Sequence, residues 1–196
     1  MTTPSASEAA LKSALRTAAL ARRGGLHANC GDAPDGLRRV LAHWLRDTAL
    51  AGRRVAGYFP MGSEIDPLPA LVWFAGAGAE ICLPQTPARG QPLIFRSWQP
   101  GEALVAGPFG TRHPLGRPIT PDIVLVPLLA FDRQGRRLGY GAGYYDLTLR
   151  LLPSAQAIGC AFAGQEVAQV PVEPHDVTLR WIATDQAMVT AAQGIL

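Results

Sequence analysis

Lysine is nearly absent from this chain: of 18 basic residues 17 are arginine, and Lys12 is the lone ammonium. Long apolar runs are missing too. None approaches the ~20 residues that a membrane helix needs, so no membrane partner is expected. Met1 to Ala10 lack a basic segment followed by an apolar core, so no secretory signal is read and a cytoplasmic location is expected. Cysteine is scarce: Cys30, Cys82 and Cys160 are odd in number and widely spaced, which argues against a disulfide or zinc framework. The arginines come as scattered pairs and not as a long stripe, so no nucleic-acid partner is expected. The chain has no G-x-x-x-x-G-K-[ST], which excludes a P-loop. Glycines at 139, 141 and 143 miss the dinucleotide fingerprint, because the third comes too early.

What is present reads as one globular unit. With 48% hydrophobic and 17% charged residues over 196 positions, the chain can bury one core and is short for two. A net charge of +3 suits small anionic ligands better than a polyanion. Residues 1–7 are expected to fray, with a single domain over 8–196. Ser5 and Glu8 resemble a capping box opening a helix to about Arg23, on which Lys12 and Arg16, four apart, point the same way. Lys12 reads equally as a solvated surface residue. The stretch from Gly24 to Gly36 reads as a turn-rich connection, followed by a helix over Leu37 to Ala49.

Strands are expected over Arg54 to Phe59, Ala79 to Leu83, Leu93 to Trp98, Asp122 to Pro127, Ala157 to Ala163 and in the region 181–189. Helices between them make the fold class α/β, a single wound, mainly parallel sheet flanked by helices. Trp98, before Gln99-Pro100-Gly101, reads as an exposed strand end where an aromatic can stack on a flat ligand. Asp66 reads as a helix-start acid; Glu64 is either that or a substrate contact.

The chain is organised around residues 122–146, DIVLVPLLAFDRQGRRLGYGAGYYD. A strand buried on both faces leads through the turn Asp132-Arg133-Gln134-Gly135 to Arg137, alternate glycines and Tyr144-Tyr145-Asp146. Glycines let backbone N–H groups close on phosphate oxygens, and a following helix adds positive potential. Arg137 is suited to neutralising phosphate, and Asp146 supplies the hard oxygen that Mg²⁺ prefers.

Pro127-Leu-Leu-Ala-Phe-Asp132, Gly135 and Arg137 through Asp146 resemble the signature of the 5-formyltetrahydrofolate cyclo-ligase (methenyltetrahydrofolate synthetase) family. Lys12 to Arg16 is similar to that family's N-terminal nucleotide segment, Phe59 to Glu64 to its folate-binding strand end, and Ile158-Gly159, Gln165 and Pro171 to Asp176 to its C-terminal pattern. The resemblance implies a sugar-phosphate isomerase/CoA-transferase-like sheet and ATP-dependent closure of 5-formyltetrahydrofolate to 5,10-methenyltetrahydrofolate, with release of ADP and phosphate. It implies ATP binding by Lys12, Arg16, Arg137, Leu138, Gly139, Tyr140, Gly141, Ala142, Gly143, Tyr144 and Tyr145. It assigns folate to Phe59, Glu64, Trp98 and Tyr145, Mg²⁺ to Asp146, and small-molecule partners to a protein expected to act as a monomer.

Three positions depart from the family pattern: Leu128, where glycine is common, Ala142, where glycine or lysine is common, and Arg180, where an acid proposed as a second Mg²⁺ ligand often stands. Asp176 and Asp185 are the candidate substitutes. Arg180 also motivates a rival expectation, a folate or nucleotide binder without turnover. Lys12→Ala is expected to impair use of ATP while leaving the melting temperature nearly unchanged.

Overall fold

The computed structural model describes residues 6–192. In chain order its elements are α1 (Ala6–Ala28), α2 (Ala33–Trp44), β1 (Arg54–Ala56), α3 (Leu68–Gly76), β2 (Glu80–Gln85), β3 (Ile94–Ser97), β4 (Val105–Ala106), β5 (Arg112–His113), β6 (Ile123–Pro127), β7 (Ala130–Phe131), β8 (Arg137–Leu138), α4 (Tyr144–Leu151), β9 (Gln156–Ala161), β10 (Trp181–Thr184) and β11 (Met188–Thr190). Ser5 of the expected capping box lies outside the described residues, whereas Ala6 and Ser7, read as frayed, already belong to α1.

Seven strands form one sheet in the order β11-β10-β9-β6-β1-β2-β3. The five inner strands run parallel, and β3 and β11 pair antiparallel at the two edges. Inner strands such as Ile123-Val124-Leu125-Val126 are buried on both faces, which is why they read as unbroken apolar runs and not as alternation. One face packs Val55, Ile81, Leu83, Leu125 and Ile158 against Leu37, Leu41, Leu71 and Phe74 of α2 and α3. The other packs Ala56, Cys82, Val124, Val126 and Ile182 with Phe95 and with Leu149 of α4. The cysteines are free; burial pushes the Cys82 thiol up to about 12.

After β1 the chain turns outward to β2 on one side, whereas β6 pairs with the other side of β1. Such a reversal opens a crevice beyond the carboxyl ends of the strands, where α/β sheets hold ligands. Asp122, at the opposite end of β6, accepts from the Arg54 amide at 2.9 Å and from its guanidinium at 2.6 and 3.0 Å, pinning β6 to β1.

Several boundaries differ from expectation. The first helix does not stop at Arg23 but runs through Gly24 and Gly25 to Ala28. Two helical glycines cost roughly 2 kcal/mol against alanine, yet the buried positions Lys12, Ala19 and Arg23 and the half-buried Leu15, Arg16 and Leu26 keep one face in contact throughout. Tertiary contact outweighs propensity here. The second helix starts at Ala33, with Pro34 in its first turn where a missing N–H is harmless, and it ends five residues before Ala49. The strand expected to reach Phe59 stops at Ala56, which frees Tyr58 and Phe59 to face the crevice. Between β3 and β6, β4 and β5 form a short antiparallel hairpin.

Candidate active site

A cavity of about 680 Å³ lies at that crevice, walled by α1, the segment after β1, the end of β2, the glycine loop and the 173–176 loop. That volume suits a drug-sized ligand or larger. Six cationic side chains face four carboxylates in its lining, a surplus of positive charge.

The glycine loop is held from below. Asp132 is fully buried, and its carboxylate accepts from the amides of Gln134 (3.0 Å), Arg136 (3.2 Å) and Val170 (2.8 Å) and from the Arg136 guanidinium (2.6 Å). This closes the β7–β8 turn and ties it to the segment leading into the 173–176 loop. Gly135 has φ +76° and an added Cβ would meet the Leu179 carbonyl at 2.0 Å, so the turn requires glycine. Gln165 donates to the carbonyls of Leu128 and Leu129 at 2.8 and 3.0 Å, satisfying the strand exit before the turn.

Past β8 the loop carries Gly141 at φ +96° and Gly143 at φ +70°, the latter capping α4. Arg16 donates from Nε to the Gly139 carbonyl at 3.1 Å, and its guanidinium lies against Gly141, where a Cβ would meet it at 3.3 Å. Thus α1 and the loop touch through a cation. The N-terminus of α4 points at the same place and adds the positive end of its dipole.

Arg137 is not a free cation. It donates to Asp146 Oδ1 at 2.7 Å and to the Val177 carbonyl, and the same carboxylate oxygen accepts from the Val177 amide at 2.9 Å. Among the described residues Asp146 Oδ2 has no protein partner, which leaves one hard oxygen of a cavity-lining residue available to a cation. Lys12 is neither solvated nor free. Its side chain is 6% exposed, and Nζ donates to Glu173 at 2.6 Å and to Asp176 at 2.7 Å. Burial opposes the charged form, but the two carboxylates outweigh it and hold the ammonium's pKa above its usual value. Glu173, His175 and Asp176 bring ligand atoms within 4.8 Å of one another beside it.

On the facing wall stand Tyr58, Phe59 and Glu64. Tyr58 donates to the Ile65 carbonyl at 2.9 Å and fixes the loop. Glu64 is buried and accepts from the Met61 amide at 2.9 Å. Burial pushes its carboxyl pKa up, opposed by that amide, the nearby Arg23 charge and the Tyr140 hydroxyl. Asp66 accepts from the Leu68 amide at 2.8 Å and serves the start of α3, away from the cavity. Burial likewise pushes the Tyr145 phenol up.

The cavity therefore gathers Lys12, Arg16, Phe59, Glu64, Asp146 and the whole run from Arg137 to Tyr145. Trp98 is the exception. It is 7% exposed, packs in the core and donates from its indole to the Glu102 carbonyl at 3.0 Å, because the following turn folds back over it instead of leaving it at a rim. Arg180 lies outside the cavity too, exposed and stacked on Trp181 at 4.9 Å. Of the two candidate substitutes, Asp176 lines the cavity, whereas Asp185 accepts from the Ala163 amide at 2.6 Å on another side of the molecule. Reading the sequence missed Arg23, which is buried in the site floor. The signal for it was there: Lys12, Arg16 and Arg23 fall on one helical face.

Comparison with known proteins places this arrangement. Residues 8–185 match the profile of the 5-formyltetrahydrofolate cyclo-ligase family. A 5-formyltetrahydrofolate cyclo-ligase of Mycolicibacterium smegmatis is 36% identical over 92% of this chain and 96% of its own length. The Escherichia coli K12 protein of that name is 32% identical over 66% of this chain and 76% of its own. Among solved structures, an Aquifex aeolicus 5,10-methenyltetrahydrofolate synthetase superposes with a TM-score of 0.75 and 25% identity, over 95% of each chain. A Mycoplasma pneumoniae protein of that name shares the fold, with a TM-score of 0.71 and 23% identity over 89% of this chain and 98% of its own. A family match over residues 8–185 and a relative 36% identical along almost the whole chain make this protein a member of the 5-formyltetrahydrofolate cyclo-ligase family.

Proposed function

We propose that the chain closes 5-formyltetrahydrofolate to 5,10-methenyltetrahydrofolate at the expense of ATP, releasing ADP and phosphate. The observation that carries this reading is a single cavity with two unlike walls: a glycine loop and helix N-terminus among cations, facing an apolar, carboxylate-bearing wall at Phe59 and Glu64.

In this reading the triphosphate lies along Gly139 to Tyr145, with Leu138 beneath it and Tyr140 and Tyr144 flanking. Arg16 and Arg137 offset its charge, and Lys12 adds a third cation held in place by Glu173 and Asp176. Their task is to keep the γ-phosphoryl in line with the formyl oxygen of the folate. Phe59 and Tyr145 supply flat surface for the pterin, and Glu64 orients the reacting nitrogens. Transfer of the phosphoryl makes that oxygen a good leaving group. N10 then attacks the formyl carbon, the C–O bond breaks with departure of phosphate, and N10 gives up its proton. Loop amides stabilise the charge on the phosphoryl oxygens.

Asp146 would hold Mg²⁺ through the carboxylate oxygen that has no protein partner, a hard donor of the kind that ion prefers; when bound, the ion would neutralise phosphate charge. Arg180, the motive for the rival expectation, is stacked on Trp181 outside the cavity, and the similar proteins are named as cyclo-ligases, which supports turnover over binding alone. We propose ATP and the folate as the partners of a cytoplasmic monomer; among the described residues no helix is long and apolar enough to cross a membrane. The test is the absorbance of the methenyl product with Mg-ATP and 5-formyltetrahydrofolate. Folded protein that gives none overturns the reading.

A further inference from the structure

We propose that Arg23 is a positioning residue that couples the nucleotide wall to the folate wall, acting through Tyr140 on one side and Glu64 on the other. The inference rests on the function proposed above and adds an interdependence of the two substrates to it.

Arg23 reaches both walls at once. It is 1% exposed, on the same α1 face as Lys12 and Arg16 but about two turns beyond Arg16 and three beyond Lys12. Its Nε donates to Ser63 Oγ at 3.1 Å and its Nη1 to the Leu128 carbonyl at 3.4 Å. Nη1 also lies 4.0 Å from Glu64 Oε1, a buried ion pair. Nη2 donates to the Tyr140 hydroxyl oxygen, and the guanidinium stands 5.3 Å from that ring's centroid. Tyr140 belongs to the glycine loop and is 51% exposed, so its hydroxyl is the loop's tether to the floor.

A guanidinium stays charged in any protein environment and presents its donors in a fixed fork. Buried here, it cannot turn toward one wall without weakening its bonds to the other. A nucleotide that settles the glycine loop fixes Tyr140, and through Arg23 it fixes the orientation of Ser63 and Glu64. A folate held by Glu64 acts in reverse, because coupling between two sites is reciprocal. Lysine at this position, with one point charge and no fork, could not serve both walls.

The test is binding without turnover. The dissociation constant of a non-hydrolysable ATP analogue with Mg²⁺ is measured by calorimetry with and without saturating 5-formyltetrahydrofolate. Wild type is expected to bind the analogue about fivefold or more tightly when folate is present, within the usual range of such couplings. Tyr140→Phe keeps the ring and removes only the tethering hydroxyl at a half-exposed site, and the ratio should fall toward one. Arg23→Lys should lose the ratio as well, with a lower melting temperature; if that variant does not fold, Tyr140→Phe decides. An unchanged ratio in Tyr140→Phe, or no coupling in wild type that nonetheless forms methenyl product, overturns this inference and leaves the proposed function standing. Wild type that binds neither ligand overturns both.

Discussion

Lys12 and Asp176, separated by 164 positions, meet at 2.7 Å, and Glu173 takes the same ammonium at 2.6 Å. The chain's one lysine thus fastens its first helix to its last long loop, within the lining of the cavity. The contact changes what its removal should do. Lys12→Ala leaves two carboxylates facing each other in a half-buried place, and it should cost about 1–3 kcal/mol of stability as well as raising the KM for ATP. Denaturant unfolding read beside ATP kinetics checks this. A variant with wild-type stability would mean that the triad is not formed in solution.

Gly141 should be the glycine of the loop least tolerant of change. Gly141→Ala imposes φ +96° on an L side chain and sets a methyl 3.3 Å from the Arg16 guanidinium. Strain of about 1–3 kcal/mol, relieved by shifting the loop, should appear as an ATP KM raised roughly tenfold. Gly139→Ala meets open space and has no such φ, so its effect should be smaller. The opposite order of the two variants would contradict the loop conformation.

Trp98 should behave as core. Trp98→Ala should cost about 3–5 kcal/mol, and the milder Trp98→Phe should lower the melting temperature while the KM for folate holds. A Trp98→Phe variant with full stability and a raised folate KM would return the residue to the substrate.

The Arg54–Asp122 pair gives a pH signature. The Arg54 hydrogen bonds hold the Asp122 carboxyl below its ordinary 3.8. A depressed folded-state value contributes stability that is fully present above the unfolded value and is lost as pH falls through the folded one. Asp122→Asn should therefore cost about 1 kcal/mol near neutral pH, and the difference should shrink as pH drops below about 4. An Asp122→Asn penalty that persists undiminished at pH 2.5 would place its cause elsewhere.

What could be read from the sequence was local. The strand 123–127 declared itself by an unbroken apolar run, the 132–135 turn by Asp and Gly, and the loop by alternate glycines before a helix. The resemblance carried by that loop brought the family and the cavity residues with it. Contacts over long sequence separation were not legible. No spacing rule says that Lys12 ends between Glu173 and Asp176, or that a Gly-Gly pair stays helical because Arg23 and Leu26 on either side of it are packed. Trp98 was misread for a related reason: a Pro-Gly turn usually exposes what precedes it, and here the turn folds back to accept the indole N–H at Glu102.

In the proposed reaction one cavity uses ATP to close the folate ring. The direct measurement follows methenyl absorbance and ADP together, with purified protein, 5-formyltetrahydrofolate and Mg²⁺, before and after addition of ATP. No product is expected before addition, and afterwards one ADP for each methenyltetrahydrofolate formed. Product without ATP, or ADP released without ring closure, would contradict that reaction.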